Sequence, residues 1–221
     1  MTDIYTVNKG CVSLEFLVLG PIENNTFIIS DDAATFVVDP SSDVDAILSA
    51  LGGRKPEAIV LTHRHHDHVD VAAALRRATG APVIASAIDA GAIEHPSREG
   101  EGSFPSAPPC SVDQRVSDGD TIEIGNMSWK VIATPGHTEG SICLYLDPKS
   151  GADTKGAPVL ISGDTLFFGS IGRTDFKGGS MSDMRTSLKR LAQLPDNTLV
   201  LPGHNNLTTI GAERGRVFAR Y

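Results

Sequence analysis

The stretch Leu61–Asp70, LTHRHHDHVD, decides how the rest of the chain is read. Four of the seven histidines fall within the six positions 63–68, with Asp67 among them. Ahead of it, EAIVLT (57–62) is a continuous apolar run of the kind buried strands carry. Behind it, DVAAALRRATG (70–80) has the marks of a helix, with Asp70 as N-cap, Arg76 and Arg77 in the last turn and Gly80 as terminator. A strand, a polar turn and a helix in succession place the cluster at a strand end. In α/β sheets ligand sites gather there, because the loops converge on one crevice.

The same arrangement recurs outward along the chain. WKVIAT (129–134) leads through Pro-Gly to His137, VLISG (159–163) to Asp164, and LVLPG (199–203) to His204. Five histidines and two aspartates are therefore expected at one edge of the fold. Neutral imidazole and carboxylate suit zinc, iron or manganese, and the lack of a nearby cysteine argues against a closed structural zinc site. Two apart in a turn, His63 and His65 can face one ion, Asp67 and His68 can face a second, and Asp164 could bridge them. His66 and His95 read as solvent-facing or structural. At the end of TFVVD, Asp39 is placed to accept a hydrogen bond from a ligand histidine; a turn-capping role before Pro40 is the alternative.

Short strands fill the first third: LEFLVL (14–19), TFIIS (26–30) and ATFVVD (34–39), the last two joined by an Asp-Asp turn. SSDVDAILSALGG (41–53) predicts a helix with a Ser or Asp cap and Gly52 as stop. Residues 82–86 predict a strand, and the Pro/Gly/Ser-rich segment 95–112 a long loop. Further strands are expected in a hairpin around Gly125-Asn126, in SICLYL (141–146) and before His204. Helices are expected over SDMRTSLKRLAQL (182–194), opening on Ser182-Asp183 as a capping pair, and over 209–221. No compositional break divides the chain, so one domain over 1–221 is expected, with layered sheets and helices outside.

The 221 residues are 40% hydrophobic, enough for a sizeable core, and the net charge of −8 argues against nucleic acid as partner. The opening lacks a secretory pattern, and no apolar run has the length of a membrane span. Three scattered cysteines, Cys11, Cys110 and Cys143, fit a reducing compartment. A cytoplasmic monomer or homodimer with no membrane partner is the expectation.

THRHHDH (62–68), PGHTEGS (135–141), GDTLF (163–167) and PGH (202–204) together resemble the metallo-β-lactamase superfamily over nearly the whole chain. The resemblance implies an α/β (α+β) four-layer αβ/βα sandwich with two divalent metal ions at one edge, zinc first and iron or manganese next. His63, His65 and His137 would hold one ion, Asp67, His68 and His204 the other, with Asp164 shared. GDTLFFGSIGRTDF (163–176), LPGHNNLTTIGAER (201–214) and NNTF (24–27) resemble the short bacterial type II glyoxalases, the hydroxyacylglutathione hydrolase group. Lys177 and Asn205-Asn206 depart from that group's pattern, and only 17 residues follow His204. The implied activity is a hydrolase whose metal-bridged hydroxide cleaves a glutathione-type thioester such as S-lactoylglutathione. Asp67 and Asp164 would be its catalytic carboxylates, and Arg173 would recognise a substrate carboxylate unless it pairs with Asp175. The alternatives are a mononuclear-iron persulfide dioxygenase, whose members carry a GRTDF-like segment, and another hydrolase of this fold with β-lactamase side activity.

Overall fold

Alternation with a period of two along the central strands builds the layers. In β3 (Asn24–Ser30), Phe27 and Ile29 enter one buried cluster and Ile28 another. β4 (Thr35–Val38) splits Phe36 and Val38 from Val37, and β5 (Ala58–Val60) splits Ala58 and Val60 from Ile59 in the same way. Both faces of these strands are buried, which is why EAIVLT reads as an unbroken apolar run. Opposite them, Ile142 and Leu144 of β10 (Ile142–Leu146) and Val159 and Ile161 of β11 (Val159–Gly163) join the first cluster. Their neighbours Cys143 and Leu160 enter a third.

The first cluster therefore lies between two sheets, with Trp129 edge-on to Phe36 at a ring separation of 5.6 Å. The second lies beneath α1 (Val44–Leu51) and α3 (Ala72–Thr79), and the third beneath α5 (Met181–Leu191) and α6 (Ile210–Glu213). The order is helix, sheet, sheet, helix. This computed structural model describes residues 3–97, 105–149 and 152–221.

The first sheet runs β1 (Ile4–Lys9), β2 (Val12–Leu19), β3, β4, β5, β6 (Val83–Ser86) and β7 (Gln114–Val116), antiparallel as far as β4 and parallel beyond it. The second runs β15 (Thr208–Thr209), β14 (Leu199–Pro202), β11, β10, β9 (Met127–Ala133) and β8 (Thr121–Ile124), with β11 and β14 its parallel pair. A small hairpin, β12 (Leu166–Phe167) with β13 (Ser170–Ile171), follows β11. The two large sheets touch along one edge. There Asn25 N donates to Gly203 O at 2.7 Å and Ile142 N to Thr62 O at 3.0 Å. The strand ends that carry the polar turns meet at this seam.

Several local expectations are corrected. Asp70 does not cap the helix after the cluster: a one-turn α2 (His66–Val69) intervenes, Val71 occupies the N-cap position of α3, and Asp70 lies 3.2 Å from His66 instead. Helix α5 starts at Met181, capped by Ser180 Oγ accepting from Asp183 N, so the capping serine precedes the predicted pair. The closing helix is interrupted, α6 passing into a π-helical turn over 214–218. The short α4 (Ala90–Glu94) had no strong periodic signal. Of the 95–112 loop, residues 98–104 lie outside the described residues, and the described remainder has no regular structure past His95. Among the described residues, no helix is long and apolar enough to cross a membrane.

Burial also sorts the thiols. Cys143 is sealed beneath α5, and burial pushes its thiol up to about 11; burial raises that of Cys110 as well, whereas Cys11 is exposed. Titration of the native protein with a thiol reagent should therefore label one cysteine quickly, rising to three after denaturation. Fast labelling of two or more would contradict the packing.

Candidate metal centre

Asp39, directly after β4, anchors the histidine turn. Its Oδ1 accepts Thr62 N at 2.8 Å; its Oδ2 accepts Thr62 Oγ1 at 2.7 Å and lies 2.9 Å from His68 Nδ1. Both carboxylate oxygens are thereby engaged with their neighbours, so Asp39 supports a ligand more readily than it binds an ion, although its atoms also lie within 4.8 Å of those of His63 and His68. The contact to Nδ1 turns His68 Nε2 toward the cleft.

The nitrogens of His63, His65 and His137 form one compact group, all within 4.8 Å of one another, and His65 Nδ1 lies 2.7 Å from His137 Nε2. His63 Nε2 is buried with no hydrogen-bond partner. Leaving a polar atom dry and unpaired costs about 1–3 kcal/mol, a cost that a coordinated cation removes. The far side of the His137 ring is fixed, Nδ1 donating to Arg173 O at 2.6 Å.

A second group comprises Asp67, His68 and His204. Asp67 Oδ2 lies 3.4 Å from His68 Nε2 and 3.3 Å from His204 Nε2, while His204 Nδ1 donates to Ile22 O at 3.0 Å. Asp164 stands between the groups. Its Oδ1 is 3.2 Å from His68 Nε2, and its Oδ2 is 3.4 Å from His137 Nε2 and 3.6 Å from His204 Nε2. The close approach requires glycine at 203, where a Cβ would overlap Asp164 Oδ1 and come within 2.6 Å of His68 Cε1. The fold thus brings together all seven residues expected to ligate metal. Their nitrogen and oxygen donors are of a kind that suits divalent zinc, iron or manganese.

Three features of the site were not anticipated. The Asn24 amide projects into the second group, its Nδ2 lying 3.0 Å from Asp67 Oδ2, 3.2 Å from His68 Nε2 and 3.4 Å from His204 Nε2. Buried Asp89 clamps two ligand turns together, accepting Arg64 N at 3.0 Å, Arg64 Nη1 at 2.9 Å and Thr138 Oγ1 at 2.8 Å. Buried Glu213 holds the loop after β12, accepting Gly169 N at 2.9 Å and Thr208 Oγ1 at 2.5 Å. Asn24 and Glu213 were visible only through the resemblances carried by NNTF and LPGHNNLTTIGAER; nothing in the sequence around Asp89 marked it.

The two groups differ in charge. Burial holds His63 well below the ordinary histidine value, with His68, His137 and His65 adding to the effect, and burial also lowers His137. Burial opposes charge on His68 too, but Asp164, Asp67 and Asp39 outweigh it and raise that group well above the ordinary value. His204 is raised in the same manner, chiefly by its hydrogen bond to Asp67. Burial would raise Asp67 and Asp164. Instead His68 and other partners hold Asp67 well below the carboxylate range and Asp164 at about 2.

A cavity of about 320 Å³ opens beside the groups, reached by His65, Asp67, His137, Asp164 and His204. The described flanks of the 95–112 loop line it through Pro96, Ser97, Pro105, Ser106 and Ala107. Arg173 sits at its rim, where Nε donates to Asp175 Oδ1 at 2.8 Å and Nη2 to Oδ2 at 2.7 Å, with the guanidinium 3.7 Å above the Phe176 ring. The pairing with Asp175 is thus formed, and it is the backbone carbonyl of Arg173 that touches a site histidine.

Residues 19–204 match the profile of the metallo-β-lactamase superfamily. The chain is 32% identical to a Bacillus subtilis protein named Probable metallo-hydrolase YqgX, covering 89% of this chain and 92% of that one. It superposes on the structure of BLEG-1 B3 metallo-β-lactamase with a TM-score of 0.82 at 32% identity, covering 93% and 98% of the two chains. The structure of TTHA1623 in a di-iron-bound form matches with a TM-score of 0.76 at 31% identity, covering 90% and 96%. Layer order, the matched span and these relatives agree: the chain belongs to the metallo-β-lactamase superfamily.

Proposed function

We propose that the chain is a binuclear metallo-hydrolase that cleaves a small acyl thioester. His63, His65 and His137 would hold one divalent ion, Asp67, His68 and His204 the second, and Asp164 both. The observation that supports this reading is the position of Asp164, within 3.6 Å of nitrogens from both groups and open to the cavity. When bound, such ions supply Lewis acidity and lower the pKa of water toward neutrality. Water adds to the acyl carbon, the C–S bond breaks, the acid keeps the water's oxygen and the thiol leaves with a proton. Asp67 and Asp164, as acidic as their surroundings make them, stay ionised at neutral pH and serve to hold and orient rather than to accept a proton. A thiol with a pKa of about 8.5 leaves without a strong acid, so the step needs no such group beside the cavity.

The test is metal analysis of the purified protein alongside hydrolysis of S-lactoylglutathione and simpler thioesters. About two ions per chain and thioester turnover are expected. One iron per chain with oxygen uptake on glutathione persulfide, or β-lactam turnover with no thioester turnover, would overturn the reading.

The charge difference between the groups predicts stepwise loading. An imidazole must be neutral to bind metal. His63 and His137, held low, disfavour the proton, whereas His68 and His204, held high, favour a proton that the incoming ion must expel. Affinity at the second group therefore falls as pH drops, about tenfold per unit for each proton displaced, while the first group retains its ion. Dialysis at pH 8 and pH 6 should leave about two ions and about one. Equal content at both would contradict this account.

A further inference from the structure

Resting on the thioesterase reading, we infer that the cavity takes an uncharged, apolar acyl thioester rather than one built on a thiol that carries carboxylates. Size is the first observation: about 320 Å³ stands at the small end of the about 300–1,000 Å³ typical of small-molecule sites. The walls are the second. Away from the metal-facing groups they are mostly apolar, with Ile22, Val69, Ile93, Ala107, Phe167 and Phe176 outweighing Ser97 and Ser106.

The third is the state of the cations. Among the described residues lining the cavity, Arg64 and Arg173 are the arginines, and no lysine lines it. Arg64 is buried against Asp89 and donates Nη2 to Lys177 O at 2.7 Å. The fork of Arg173 is closed by both oxygens of Asp175, and its face is laid on Phe176. To pair with either of these arginines, a substrate carboxylate would have to break an existing pair and then stand beside the displaced aspartate. An apolar acyl chain meets no such cost and gains about fourfold in affinity for each methylene buried. The hydrocarbon would lie against Ile93 and Phe176, with its carbonyl at the metal-facing groups.

The experiment compares kcat/KM of the metal-loaded protein on S-acetyl-, S-butyryl-, S-hexanoyl- and S-phenylacetyl-N-acetylcysteamine with that on S-lactoylglutathione. From acetyl to butyryl the value should rise about 15-fold, and butyryl should exceed S-lactoylglutathione at least tenfold. Phe176→Ala should cut the butyryl-to-acetyl ratio severalfold, with metal content and melting temperature recorded to show an intact fold. In calorimetric titrations, hexanoate should bind more tightly than acetate. A flat series overturns the inference. So does a preference for S-lactoylglutathione that Arg173→Ala abolishes, although thioesterase activity itself would then stand. Failure to hydrolyse any thioester overturns both.

Discussion

Asp164→Ala is expected to abolish turnover and to lower metal content at both groups together, whereas His137→Ala and His204→Ala should each weaken one. The asymmetry follows from position. Asp164 has one oxygen 3.2 Å from His68 Nε2 and the other 3.4 Å from His137 Nε2, so its carboxylate spans the two groups. Losing a supporting partner of a ligand costs about 10–100-fold in affinity or activity; losing the shared ligand should exceed that, at roughly a thousandfold in kcat/KM. Asp164→Asn preserves the shape and removes the charge that keeps the site anionic, so it should bind metal less weakly than the alanine variant while remaining far below the parent. The measurement is metal per chain by mass spectrometry with thioester turnover on the same preparation. An alanine variant that retained two ions and full activity would remove the basis of the site assignment.

How much of this was legible beforehand depends on whether the cause was local. The ligand turns were readable because each follows a strand whose apolar run is dictated by burial on both faces, as in β5 and β11. Hairpin chemistry at Gly125-Asn126 and the Asp43 and Gly52 caps of α1 are likewise local, and the structure has them. What was not legible is set by tertiary contact. Ser180, not Ser182, caps α5 because the Gly178–Ser180 loop packs under Pro135–Gly136, with Ser180 N donating to Gly136 O at 2.8 Å. Asp70 looked like a cap but is spent on His66 at the end of α2. Asn24 and Asp89 reach partners 43 and 49 residues away, and no periodicity announces such contacts.

The clamp at Asp89 carries the largest stability prediction. Its carboxylate is sealed and joins three segments: its own loop, the His63–His68 turn through Arg64, and the His137 turn through Thr138. Gly140 is needed beside it, since a Cβ there would come 2.5 Å from Asp89 Oδ1. In Asp89→Ala the Arg64 guanidinium, 7% exposed, loses its buried counter-charge, while Lys177 O and the exposed Glu139, 3.9 Å away, remain among its partners. Removing one partner of a buried pair costs about 3–5 kcal/mol, because the other charge stays behind without compensation. For a domain of this size that is a fall of about 6–20 °C in Tm. The double variant Arg64→Ala/Asp89→Ala removes the stranded charge as well, so it should lose less than the sum of the single variants, and the cycle isolates the coupling. Because the clamp holds ligands of both groups, Asp89→Ala should also reduce metal affinity about 10–100-fold. A Tm within 2 °C of the parent, or strictly additive losses in the cycle, would show that the turns are held by the backbone contacts at the sheet seam and not by this buried pair.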